Sequence, residues 1–511
     1  MKPSNELFDL IKSLTKSEKR FFKLQSALQS GDKNYVRLFD LIDKMSEYDE
    51  ELVKKTFKGE KFIKHLPSEK NHLYKLILKA LRSYYGETSV SSMLKQEIKN
   101  IEILYNKALF EECGKFLERA KKIAQKYEKF YYLFELINWE KTLLEESFED
   151  GRFVDLDKLI EEEKDVLERL RNLAEYHVLY SKINYVFRSG GYSRTEENRN
   201  IIDDIVNHPL IKGKNTALSM RAATICYYTQ GFCNLANGDS ETALNKFTKV
   251  KNILDEHTAL RMDLPKRYIR TLSNIITSLT DLGKYTEARE MIALMRSLKD
   301  QEGFDYPDLE TTIFKNTGLA ELGLSHTTGQ FSRGVKEVEE ITRQLTNYEG
   351  KLHKEHELAF FYQFAYIYFG EGQHSKSLSW LNKVLNDNEN DLRQDIYSYA
   401  RLFNLVIHYE LGNHDLLEYT IKSTSRYLQK RMRDFPMEKL IIEQFKKLIR
   451  TQSVTEKRNI MVNFKEQLQK LVLQPEDEVL MKHFDFVSWL ESKLTNESFE
   501  EVVQRSHKQL V

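Results

Sequence analysis

The stretch Gly231-Phe-Cys-Asn-Leu-Ala-Asn-Gly238-Asp-Ser-Glu-Thr-Ala243-Leu-Asn-Lys-Phe247-Thr-Lys-Val250 decides the fold. Its apolar residues recur three or four apart on both sides of Asn237-Gly238-Asp239, so it predicts two helices joined by a tight turn. Gly238 supplies the left-handed backbone that ends the first helix. Gly231 and Ala243 are small where two antiparallel helices would cross, and Phe247 is large enough to fill the space toward the next hairpin.

The same register returns along the chain. Leu282-Gly283-Lys284-Tyr285-Thr286-Glu287-Ala288 repeats the turn glycine, aromatic and small residue, with Ile292 and Met295 continuing the packing face. Around Gly372, Ala365 precedes the turn, and Ser377, Leu381 and Val384 follow it. Weaker copies centre on Gly329, Gly412, Gly151 and Gly190. Met93 to Phe130 lacks the turn glycine but keeps Phe110, Leu117 and Ala120 in place; its first helix reads Ile98, Ile101, Leu104, Tyr105, Ala108 and Leu109 along one stripe.

This pattern, over about Leu94 to Tyr427, resembles the tetratricopeptide repeat (TPR) motif. The turn glycines at 151, 190, 238, 283, 329, 372 and 412 stand 39, 48, 45, 46, 43 and 40 residues apart. The usual period is about 34. The extra residues lengthen each helix by more than one turn, and such long-helix hairpins are similar to those of bacterial Rap-type regulators and related peptide-sensing transcription factors. The fold expected is therefore all-α, an α-α superhelix (a TPR-like solenoid) with helical caps at both ends. We expect an N-terminal helical cap at 1–90, a solenoid of roughly seven or eight hairpins at 91–427, and a basic helical cap at 428–511.

The ends carry their own signals. Residues 1–90 contain the capping box Thr15-Lys-Ser-Glu18 and N-cap candidates Asp32 and Asp49. They hold 18 Lys/Arg against 13 Asp/Glu. Lys430, Arg431, Arg433, Lys446, Lys447 and Arg450 make the other end basic, and Phe484-Asp-Phe-Val-Ser-Trp489 predicts a closing helix with an aromatic face.

Across 511 residues, 78 Lys+Arg balance 78 Asp+Glu, so no global field attracts nucleic acid or an anionic membrane. The two basic ends are the candidates for nucleic-acid contact, and their own acidic residues dilute them. Ser30-Gly31-Asp32 could turn a helix-turn-helix within Leu14 to Lys44, but the second helix offers few base-reading side chains. We expect no membrane partner, because the longest apolar run, Leu358 to Phe369, is too short to span a bilayer. The amino terminus lacks the pattern of an export signal, which points to the cytoplasm. Cys113, Cys226 and Cys233 suit a reducing compartment and read as small buried hydrophobes.

Motifs for catalysis do not survive inspection. Gly370-Glu-Gly-Gln-His-Ser375-Lys376-Ser377 differs from the phosphate-loop pattern by one residue, but it follows a helix instead of a strand, and Gly372 is needed for the turn. His353 and His356 stand three apart without a converging third ligand. Cys226 and Cys233 have no second pair for a zinc site. We expect no metal, no cofactor and no enzyme; for a small molecule the sequence gives no answer either way.

The expected partner is a protein or peptide. Carrying over the TPR register from each turn glycine implies that Tyr180, Asn184, Phe187, Arg188, Tyr228, Phe232, Arg270, Thr277, Tyr362, Tyr366, Phe369, Leu402 and Tyr409 face a concave groove. Tyr, Phe and Arg are residue types favoured at binding hot spots. If instead the long helices close over them, the same rings are core. Two functions follow: a scaffold or adaptor that binds proteins or peptides, or a signal-responsive regulator whose N-terminal domain contacts DNA or a partner while the repeats bind a peptide.

Overall fold

The structure is a computed structural model. It describes residues 5–27, 34–86, 89–146, 153–190, 196–304, 306–348, 350–387, 394–431, 435–472, 481 and 483–510. Among these every regular element is helical and no strand occurs. The chain forms two compact units, Met1–Leu167 and Glu168–Val511.

In the first unit, helices α1 (Glu6–Ser13), α2 (Lys16–Ala27), α3 (Asn34–Lys44), α4 (Glu50–Thr56) and α5 (Leu66–Tyr84) enclose a core of their own. Leu7, Ile11, Phe39, Ile42, Leu73 and Ile77 are nearly inaccessible to solvent. The capping box forms as the sequence predicts: the Thr15 amide donates to Glu18 Oε2 at 2.5 Å, and the Glu18 amide donates to Thr15 Oγ1 at 3.3 Å. Asp49 caps α4 by accepting from the Leu52 amide. Asp32 and the Ser30-Gly31-Asp32 turn lie outside the described residues.

Helices α6 (Val90–Asn106), α7 (Phe110–Lys126) and α8 (Phe130–Glu146) follow as packed neighbours. The stripe expected to run through Ala108 and Leu109 stops earlier. α6 ends at Asn106, and Ala108 takes φ +56° in the turn. It occupies the place that Gly238 fills later, and both turns show the same bonding. Ala108 N donates to Tyr105 O and Leu109 N to Leu104 O, as Gly238 N does to Leu235 O and Asp239 N to Asn234 O.

Helix α9 (Phe153–Gly190) is a single 38-residue helix. No glycine or proline lies between 153 and 189, so nothing breaks it. The boundary between the units falls inside α9, after Leu167. Gly151 lies outside the described residues, and Gly190 ends α9 with its immediate sequel undescribed.

The second unit continues with α10 (Glu196–Asn207), α11 (Pro209–Lys212), α12 (Met220–Ala236), α13 (Ser240–Glu256), α14 (Thr258–Asp263), α15 (Pro265–Asp281), α16 (Tyr285–Ser297), α17 (Pro307–Thr327), α18 (Phe331–Leu345), α19 (Lys354–Gly370), α20 (His374–Leu385), α21 (Gln394–Glu410) and α22 (His414–Lys430). Each packs on its chain neighbour, and α15, α17, α19 and α21 also touch one another in succession, as the first helices of stacked hairpins do. The turn glycines 238, 283, 329, 372 and 412 all have positive φ, from +66° to +79°. At Gly231 the helices approach so closely that a Cβ would sit 2.6 Å from the Phe247 ring.

Helices α23 (Pro436–Arg450), α24 (Val454–Val472), α25 (Phe486–Thr495) and α26 (Phe499–Leu510) complete the unit. They follow residue 427, where a helical cap was expected, and α25 carries the aromatic face of a closing helix. Their Phe445, Phe464, Phe484, Trp489 and Phe499 belong to one apolar core with residues from Phe314 to Leu428.

Candidate functional cleft

The residues expected to face a groove divide into two groups. The first lies on α9, α12 and α15. Tyr180, Tyr228 and Arg270 meet at a cleft of about 460 Å³, which Ile225, Arg267, Tyr306 and the segment Asp263 to Lys266 also line. The spacing of Tyr228 and Phe232, one helical turn apart on α12, places both rings toward α9. Phe232 lies 4.8 Å from Phe187 and 5.0 Å from Tyr228, and Tyr180 lies 5.7 Å from Tyr228. The result is an aromatic wall in which Tyr228 is itself buried, at 5% exposure, and Tyr180, Phe187 and Phe232 are half-buried. Asn184 is half-buried, and Thr277 is exposed with its hydroxyl on the Ser273 carbonyl. The side chain of Arg188 lies outside the described residues.

The second group is closed. Tyr362, Tyr366, Phe369 and Leu402 are at most 3% exposed, and Tyr409 is half-buried. The expectation that they line an open groove is corrected by the C-terminal segment, which lies over them. Phe484 packs 5.4 Å from Tyr366 and 5.3 Å from Phe369, and Phe499 packs 5.4 Å from Phe369. The Tyr362 hydroxyl donates to the His483 carbonyl at 3.2 Å. Trp489 meets Tyr409 edge-on at 5.8 Å and donates its indole N–H to Glu410. Rings on this face are the natural cover for an apolar segment, because burying both sides removes the exposed aromatic area from water.

The open cleft carries concentrated positive charge, of which the register singled out only Arg270. Arg267 and Arg270 are one turn apart on α15. Arg267 is half-buried and donates to Thr224 Oγ1 at 2.9 Å. Among the described residues, neither Arg267 nor Arg270 is ion-paired to a carboxylate. The two acids of the cleft are committed elsewhere: Asp263 to Arg221 at 2.5 Å and Asp308 to Lys266 at 2.6 Å. Burial, with the nearby Arg221 charge, brings the Arg267 guanidinium down to about 10. Lys315, on α17, is likewise lowered, first by burial and then by Arg270, against an opposing pull from Glu355. His177 is lowered by desolvation and by Arg267 and Arg221. Burial raises the Tyr228 hydroxyl, so that phenol stays neutral.

A larger cleft of about 590 Å³ lies between α16, α17 and α18, but two of its cations are neutralised, Arg296 by Glu321 and Arg333 by Glu337. Arg267 could have been found from the sequence by extending the Arg270 stripe one turn back. Tyr306 and the paired state of Asp263 could not, since both depend on α14 and α17 arriving at the start of α15.

The remaining motifs have structural roles. Gly372 is the turn with φ +76°, and Ser377 is buried with its hydroxyl on the Ala365 carbonyl at 2.7 Å. His356 lies 3.3 Å from Lys315. All three cysteines are buried and unpaired. Among the described residues no group of three potential ligands could hold a metal, and no helix is long and apolar enough to cross a membrane. No protein-family model matches the chain, and no curated protein or solved structure matches it.

Proposed function

We propose that this chain is a non-enzymatic scaffold or adaptor of the TPR-like kind, acting in the cytoplasm, and that it binds a protein or peptide in the cleft formed by α9, α12, α15 and α17. The observation that carries the reading is the meeting of Tyr180 and Tyr228 with Arg267 and Arg270 in one concave space. Aromatic rings supply apolar area at low entropic cost, and guanidinium groups supply directed donors, the combination typical of binding hot spots. A concave wall built from successive helices suits an extended segment better than a compact solute.

The test compares capture of partners from the native cell by the wild-type chain and by Tyr180→Ala. A partner held by the wild type and lost by a variant with an unchanged melting curve supports the cleft. Equal retention by both would place binding on another surface.

A further inference from the structure

We propose that the cleft takes a carboxylate-bearing peptide segment, an Asp or Glu side chain seating between the guanidiniums of Arg267 and Arg270 while neighbouring apolar residues rest on Tyr180 and Tyr306. The inference rests on the reading of the cleft as a peptide site and adds the chemistry of the ligand.

Two observations carry it. Arg267 and Arg270 lie one helical turn apart at the cleft wall, so both forks reach the same space. Neither is ion-paired within the described structure, whereas the local acids Asp263 and Asp308 are already engaged by Arg221 and Lys266. A guanidinium kept partly out of water with no counter-ion is costly, and a ligand anion relieves that cost with two parallel hydrogen bonds. Burial, then the neighbouring Arg221 charge, lowers Arg267, in agreement with a guanidinium held partly out of water.

The fork also fits phosphate, but the surroundings favour a carboxylate on a peptide. The balanced charge of the chain supplies no wider field for a polyanion. The tyrosines offer apolar surface suited to side chains flanking the acid.

The experiment selects a random dodecapeptide library on the immobilised full-length chain and measures selected peptides by fluorescence anisotropy. Selected peptides enriched in Asp and Glu, losing at least tenfold in affinity on Arg267→Gln/Arg270→Gln and when their acids become amides, are the expected result. Arg270→Gln alone, at an exposed position, gives the same direction if the double variant fails to fold. Peptides without acidic enrichment, whose binding Tyr180→Ala abolishes, would overturn the carboxylate and leave the peptide cleft standing. Acidic peptides indifferent to both arginines would also overturn it. Recovery of no peptide would overturn both readings. Tighter binding of a twelve-nucleotide single strand, lost in the same variants, would replace the carboxylate by phosphate.

Discussion

The main-chain amide of Asp485 donates to the hydroxyl of Tyr366 at 3.3 Å, joining positions 119 residues apart. Around that bond the C-terminal segment completes the core of α17 to α22. Gln504 reaches the Gly329 carbonyl, and Lys493 pairs with Glu410. Removing residues 483–511 is expected to lower the melting temperature by 10 °C or more, on the order of several kcal/mol for the buried aromatics uncovered. Calorimetry and a dye for exposed apolar surface check this; an unchanged transition would mean that the segment only decorates the surface.

The burial of Tyr362, Tyr366 and Phe369 predicts that their joint replacement by alanine unfolds this region, because each large-to-small change in a packed core costs about 3 to 5 kcal/mol. Tyr366→Phe removes only the hydroxyl and should cost about 1 kcal/mol. Urea denaturation distinguishes the two. A triple variant that melts like the wild type would show that these rings are not core.

Backbone sign gives a paired test at two equivalent turns. Gly238→Val forces a β-branched residue to φ +79° and should destabilise by about 1 to 3 kcal/mol. Ala108→Gly, at φ +56°, should stabilise the first unit by up to about 1 kcal/mol. Gly231→Ala is expected to destabilise for a different reason, since the new methyl meets the Phe247 ring. Shifts of the same sign at 108 and 238 would contradict the shared turn geometry.

A half-buried and a buried histidine, His326 and His408, predict acid sensitivity. His326, 2.9 Å from Gln363 Oε1, and His408 both titrate below their ordinary value because burial disfavours the imidazolium. The unfolded chain, with a value near about 6.5, binds more protons as pH falls. Their contribution is therefore present above about pH 6.5 and lost below it. The melting temperature should fall between pH 7 and 5.5, and His326→Gln should show a shallower slope despite a lower starting point. An equal slope in the variant would remove His326 from the account.

Asp485 carries the opposite sign. Burial raises its carboxyl above the unfolded value near about 3.9, so the folded chain holds the proton longer and stability falls as pH rises through that window. Asp485 also caps α25 by accepting from the Ser488 amide at 2.9 Å, a bond that asparagine can keep. Asp485→Asn is expected to raise the melting temperature at pH 7.5 by roughly 2 °C or more, and by less at pH 5. A larger gain at pH 5 than at pH 7.5 would reverse the assignment.

Local physics made much of this molecule legible from sequence. The period of apolar residues identified helices, and the need for positive φ marked the turns at Gly238, Gly283, Gly329, Gly372 and Gly412. The small side chain at Gly231 foretold the contact with Phe247. Register on successive helices also brought Tyr180, Tyr228 and Arg270 to one cleft. Each of these depends on residues within one hairpin or its neighbour. Tertiary structure decided which half of that face stays open. Phe484, Trp489 and Phe499 return from far along the chain to cover Tyr362, Tyr366 and Phe369, and no periodicity encodes that choice. It also decided where charge remains unmet, because Asp263 and Asp308 are close in sequence to Arg267 and Arg270 or in space, yet their geometry commits them to Arg221 and Lys266. Ala108 in the left-handed turn belongs with these: helix propensity favoured continuing α6, and packing of α6 against α7 overrode it.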